Sequence, residues 1–163
     1  MTQTNIQFFS QSLGKLSLGE MLLELKKFVE REPQRFYKII VGTDSETSNP
    51  VSLVTAVTVW RVGNGAIHFW TKAEEKNFHS LRERLTQEAL NSILLAQELR
   101  SRVPELLGDE FFWDGNEVHV DIGTQGPSKD LIDTIQGMIK GYNFKPVIKP
   151  YAFGASVVAD RHT

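Results

Sequence analysis

The tripeptide Gly63-Asn64-Gly65 separates two runs rich in β-branched and aromatic residues, 51–62 and Ala66-Ile67-His68-Phe69-Trp70-Thr71. Glycine and asparagine tolerate the positive φ angles of a tight reversal, so the spacing predicts a β-hairpin. A third apolar run, 36–44, lies upstream across the polar turn Ser45-Glu46-Thr47-Ser48-Asn49-Pro50. The three strands are therefore expected to be antiparallel, which restricts the chain to folds that begin on a meander.

Helical periods flank this meander. Ser17 is an N-cap with Glu20 three residues on, a capping box. Met21, Leu22, Leu25, Phe28 and Val29 then recur at helical spacing until near Pro33. Residues 1–16 show no period and are expected to form an arm that orders only on contact. A longer helix is expected over 79–102, stopping before Pro104, with Leu81, Leu85, Leu95 and Leu99 on one stripe. Glu88 falls on that stripe, facing inward or reaching Arg84 at its edge. Glu83 shares the other face with His79 and Gln87.

A strand over 117–122 is followed by a turn, Gly123-Thr124-Gln125-Gly126-Pro127. Next comes a helix with Ser128 as N-cap, Asp130 at its start, Leu131, Ile132, Ile135, Met138 and Ile139 on its core face, and Gly141 as its stop. Residues 144–151 read as an edge strand, interrupted by Pro146 and Pro150. The small-residue tail that follows suits a short helix carrying Asp160. The whole is expected to be one α/β domain over 1–163, with arm and helix over 1–35 and the core over 36–163.

Asp44 and Asp121 sit at the downstream ends of two of these strands, where α/β sheets bind ligands. Either alone could cap a turn. Together they are costly to ionise without a cation, and they point to a metal. Cysteine is absent, which excludes disulfides and thiolate sites and suits a reducing, cytoplasmic setting. No signal-like start and no apolar run of about 20 residues is present, so no membrane association is expected. A net charge of -2 in 163 residues gives no global pull on nucleic acid, leaving local charges such as Lys129, Lys145, Lys149 and Arg161 to make any such contact.

This order of elements resembles the ribonuclease H fold, a mixed five-stranded sheet with three antiparallel strands, then helix-strand-helix-strand-helix. More closely, Val41-Gly42-Thr43-Asp44-Ser45, His119-Val120-Asp121-Ile122-Gly123, Lys149-Pro150-Tyr151-Ala152-Phe153 and Ala159-Asp160-Arg161-His162-Thr163 are similar to the YkuK-like bacterial family, described as ribonuclease H-like. The resemblance implies that Asp44, Glu88, Asp121 and Asp160 hold two divalent cations, Mg²⁺ or Mn²⁺, for phosphodiester cleavage. His162 would assist proton transfer, and Lys129, Lys149 and Arg161 would bind substrate: RNA, hybrid or structured DNA. Oxygen-only donors suit those hard cations. His119 shares a strand face with Asp121 and is either a supporting partner or a satisfied core histidine.

The chain departs from the ribonuclease pattern after Asp44, where Ser45-Glu46 replaces the usual glycine and adds a second acid, and no basic insertion is evident. A non-catalytic binding or scaffold module, its N-terminal helix docking a partner or another copy of the chain, is the alternative. Val120-Asp121-Ile122-Gly123-Thr124 also looks like the phosphate motif of actin-like and sugar kinase ATPases, but those need two such domains around a cleft.

Overall fold

A computed structural model describes residues 6–45, 50–127 and 129–152. Its strands are β1 (Gln7–Ser10), β2 (Gly14–Ser17), β3 (Tyr37–Ser45), β4 (Leu53–Arg61), β5 (Ala66–Lys72), β6 (Trp113–Asp114), β7 (Glu117–His119) and β8 (Lys145–Val147). Helices are α1 (Leu18–Glu30), α2 (Leu81–Leu107) and α3 (Ile132–Gly141), the last preceded by a single 3₁₀ turn at Lys129–Leu131. One sheet runs in the order β2-β1-β5-β4-β3-β7-β8, with β6 also pairing to β3. β3, β4 and β5 are antiparallel, while β7 and β8 run parallel to β3. The five central strands, β5-β4-β3-β7-β8, make the expected mixed sheet.

Alternation sorts the two faces. Tyr37, Ile39 and Val41 of β3, Val57 and Val59 of β4, Phe69 and Val118 join the buried faces of all three helices in one core. Residues of opposite parity, Val54, Ala56 and Trp70, form a small separate cluster on the other face. α1 begins as its sequence requires. Ser17 Oγ accepts from Glu20 N at 3.1 Å and Glu20 Oε1 accepts from Ser17 N at 2.9 Å, so two otherwise orphaned amides are satisfied. The β4–β5 reversal uses Gly63 and Gly65 at φ of 81° and 96°.

Three expectations change. The N-terminal arm is a hairpin: β1 and β2 pair antiparallel about Gly14, at φ 72°, and β1 joins β5 through Phe9 and Trp70. Phe8 is fully buried, and Phe9 stacks on Trp70 at 6.3 Å. Strands of four residues are too short to print a period in sequence, so contact with β5 decides them. α2 runs through Pro104 to Leu107, because Pro104 costs the ladder one N–H close to the helix end while Val103, Leu106 and Leu107 beyond or beside it pack into the core. Gly108, at φ 86°, stops it. β7 and β8 are shorter than the runs 117–122 and 144–151, although Val120 N to Val147 O (3.0 Å) and Lys149 N to Ile122 O (2.9 Å) carry their pairing onward.

Candidate active site

Parallel pairing of β3 with β7 brings the two strand-end aspartates together. The register matches Val41 with Val118 and Gly42 with His119, and two further residues along each chain are Asp44 and Asp121. Asp44 lies within β3 and Asp121 two residues past the end of β7, and both act electrostatically on Glu88 and on Lys149, which puts them in one neighbourhood. Glu88 approaches from α2. The residue is 4% exposed, as its place on the Leu85–Leu95 stripe predicts. The Ser45 hydroxyl donates a hydrogen bond to it.

The electrostatics record the convergence. Burial first, and then the negative charges of Asp44 and Asp121, push Glu88 up to about 8, against the opposing pull of Ser45 and Arg84. Arg84 compensates little: its Nε stands 3.7 Å from Glu88 Oε2 and makes no hydrogen bond among the described residues. Lys149 closes the site from β8's end. Its Nζ is 2.8 Å from Asp121 Oδ1, an ion pair off the line of a well-directed hydrogen bond, and that oxygen has no other partner among the described residues. Asp121 and, more weakly, Asp44 raise the Lys149 pKa.

Hydroxyl groups hold the frame beneath the acids. Thr43 Oγ1 meets Ser92 Oγ at 2.6 Å and Thr55 Oγ1 at 2.9 Å, all three buried. Thr43 precedes Asp44, and Ser92 lies one helical turn after Glu88, so this contact sets α2 against β3 where the acids meet. Sequence reasoning missed Thr43, Ser45 and Ser92. The i, i+4 spacing of Glu88 and Ser92 was the available signal.

His119 resolves as a core histidine. It is 1% exposed, and its Nε2 lies 3.0 Å from Glu117 Oε1, whose other oxygen takes Lys38 Nζ at 2.6 Å. Burial lowers its pKa, keeping the ring neutral near pH 7. Glu83 serves the start of α2 instead: its amide donates to Ser80 Oγ and its carboxylate accepts from His79 N. Lys129 is exposed on the 3₁₀ turn, and Lys145 is exposed on β8. Glu46, Ser128, Asp160, Arg161 and His162 lie outside the described residues, as does the expected short terminal helix.

Among the described residues no three histidine, aspartate or glutamate side chains stand close enough to form a metal-ligating group. The donors nevertheless suit a hard cation in kind, since all are carboxylate oxygens. Two features mark this region: burial and the nearby acids push Glu88 up to about 8, and Lys149 lies against Asp121.

The mixed sheet and its helices define the class, and the chain belongs to the ribonuclease H-like family, whose model matches residues 20–163. Within it the chain is YkuK-like: it is 29% identical over 168 aligned residues to the uncharacterized protein YkuK of Bacillus subtilis (strain 168), covering 96% of each chain. No solved structure matches it significantly. No helix among the described residues is long and apolar enough to cross a membrane.

Proposed function

We propose that this protein is a divalent-metal-dependent nuclease that cleaves phosphodiester bonds in RNA, a hybrid or structured DNA. The observation that supports the reading is the buried Glu88 carboxyl, pushed up to about 8 by burial and by the nearby charges of Asp44 and Asp121, which come from separate segments of the chain. A buried carboxyl with a strongly raised pKa costs stability, and such groups are retained where chemistry needs them. Asp44 and Asp121 would share the metal-holding role with Glu88 and Asp160. When bound, two Mg²⁺ or Mn²⁺ ions would activate a water and stabilise the leaving oxygen. Ser45 orients the Glu88 carboxyl by its hydrogen bond, and Lys129, Lys149 and Arg161 would meet substrate phosphates, with His162 moving a proton.

The test is cleavage of a panel of single-stranded RNA, hybrid duplex and branched DNA with Mg²⁺ or Mn²⁺. EDTA is expected to abolish activity, and Asp121→Asn to remove it. Glu88→Gln should cost about a hundredfold or more, whereas Glu83→Gln, a helix-start residue, should leave the rate within about twofold. Cleavage that survives both EDTA and Asp121→Asn would refute the proposal.

The second reading, a ribonuclease H-fold binding or scaffold module without turnover, draws on Lys149 already neutralising Asp121 and on the absence of a three-member ligand group among the described residues. A cation at 100 times its dissociation constant adds about 2.7 kcal/mol to a fold that alone binds it. A melting midpoint unmoved by saturating Mn²⁺ and Mg²⁺ would favour the module.

A further inference from the structure

Three independent contacts place Lys149. Its backbone amide donates to Ile122 O at 2.9 Å, which fixes its Cα beside the residue after Asp121. Its stem lies against Gly123, where a side chain would bring a Cβ within 3.2 Å of Lys149 Cβ and 3.5 Å of its Cδ. Its ammonium ends 2.8 Å from Asp121 Oδ1. The backbone and the bare glycine thus aim a flexible cation at one carboxylate oxygen.

We propose that Lys149 is the resident counter-cation of Asp121, occupying the place a divalent ion must take and thereby setting how tightly the site binds metal. This rests on the proposed reading of Asp121 as a ligand of a divalent cation. The physical basis is competition for one oxygen. An ammonium within hydrogen-bonding distance of Oδ1 and a divalent cation bound to the same atom repel, so metal entry requires Lys149 to leave. Leaving is easy, because the side chain is 53% exposed and its departure uncovers no core. The displaced ammonium then stands at the rim of the site, where a phosphodiester would approach. Arg84 cannot take over its role, since it faces Glu88 from the helix side at 3.7 Å.

The probe is Mn²⁺ alone, titrated calorimetrically into the full chain without nucleic acid. Lys149→Met and Lys149→Gln, which remove the charge from a half-exposed side chain, should each bind Mn²⁺ about three- to tenfold more tightly than wild type. That range reflects the modest strength of an exposed ion pair. Both variants should also show a larger rise in melting midpoint between EDTA and a fixed subsaturating Mn²⁺ concentration. Affinities equal to or weaker than wild type in both, with Asp121→Asn abolishing binding, would overturn the counter-cation role and leave the metal site standing. No binding by wild type or by either variant would overturn both.

Discussion

The two ends of β3 and β4 treat buried ionisable groups in opposite ways. Where β3 begins and β4 finishes, Arg61 is 7% exposed but fully engaged. Its Nε donates to Tyr37 Oη at 3.0 Å, its NH2 donates to the Phe28 carbonyl, its NH1 pairs with Glu32 at 3.2 Å, and its guanidinium lies 4.0 Å over the Phe28 ring. Tyr37 in turn donates to Glu32 O at 2.8 Å. At the other end, where β3 finishes, Asp121 pairs with Lys149 at 2.8 Å, and Glu88 faces Arg84 at 3.7 Å without a hydrogen bond from its Nε. A buried charge is tolerable when its hydrogen-bonding capacity is met and expensive when it is not. The first end is built for stability, and the second holds a buried carboxyl whose nearest described cation stands too far for a hydrogen bond.

The largest effect should come from breaking the satisfied end. Arg61→Met leaves Glu32, Tyr37 and the Phe28 carbonyl without their partner and should cost about 3 kcal/mol or more in urea unfolding. Asp121→Asn in EDTA should cost nothing or slightly stabilise, because it relieves repulsion. Equal losses from the two variants would erase the contrast between the ends.

The pH dependence sharpens it. Glu88 releases its proton near 4.5 in the unfolded chain but near 8 in the fold, so the native state binds the extra proton between those values. Stability contributed by protonated Glu88 is therefore full below about pH 4.5 and is lost as pH rises toward 8, by an amount on the order of a few kcal/mol. Glu88→Gln should abolish that slope. His119, whose pKa is lowered by burial, contributes the opposite slope through its own range, so the wild-type minus variant difference in urea midpoints, measured in EDTA from pH 5 to 8.5, isolates Glu88. A difference that stays flat would show that Glu88 is ionised throughout.

The smallest expected effect concerns the frame. Ser92→Ala removes one of two contacts to Thr43 Oγ1 and leaves Thr43 bonded to Thr55, so the loss should be about 1 kcal/mol by urea unfolding. If the hydroxyl contact sets α2 against β3, the same variant should reduce metal-induced stabilisation although it touches no carboxylate.

Much of this arrangement is legible in single elements. The capping box at Ser17 and Glu20, the reversal at Gly63-Asn64-Gly65, and the inward face of Glu88 each follow from residues within a few positions of one another. The β1–β2 hairpin was not legible, because its four-residue strands are defined by packing Phe8 into the core and Phe9 on Trp70 rather than by any period of their own. Pro104 misled in the same way: its local preference ends a helix, and the contacts of Val103 and Leu106 outweigh it.

Local pattern is enough to tell which side chains face inward and that an acid lies near the downstream end of β3 and of β7, because helical and strand periodicity is a property of the backbone a few residues at a time. Long-range packing alone brings Asp44 and Asp121 near Glu88, lets Ser45 reach it, and rests Lys149 on Asp121 across Gly123. Those contacts depend on strand order, register and the closeness of α2 to β3. These arise when distant segments bury apolar surface together, so the charge balance of the site is set by packing that no local pattern contains.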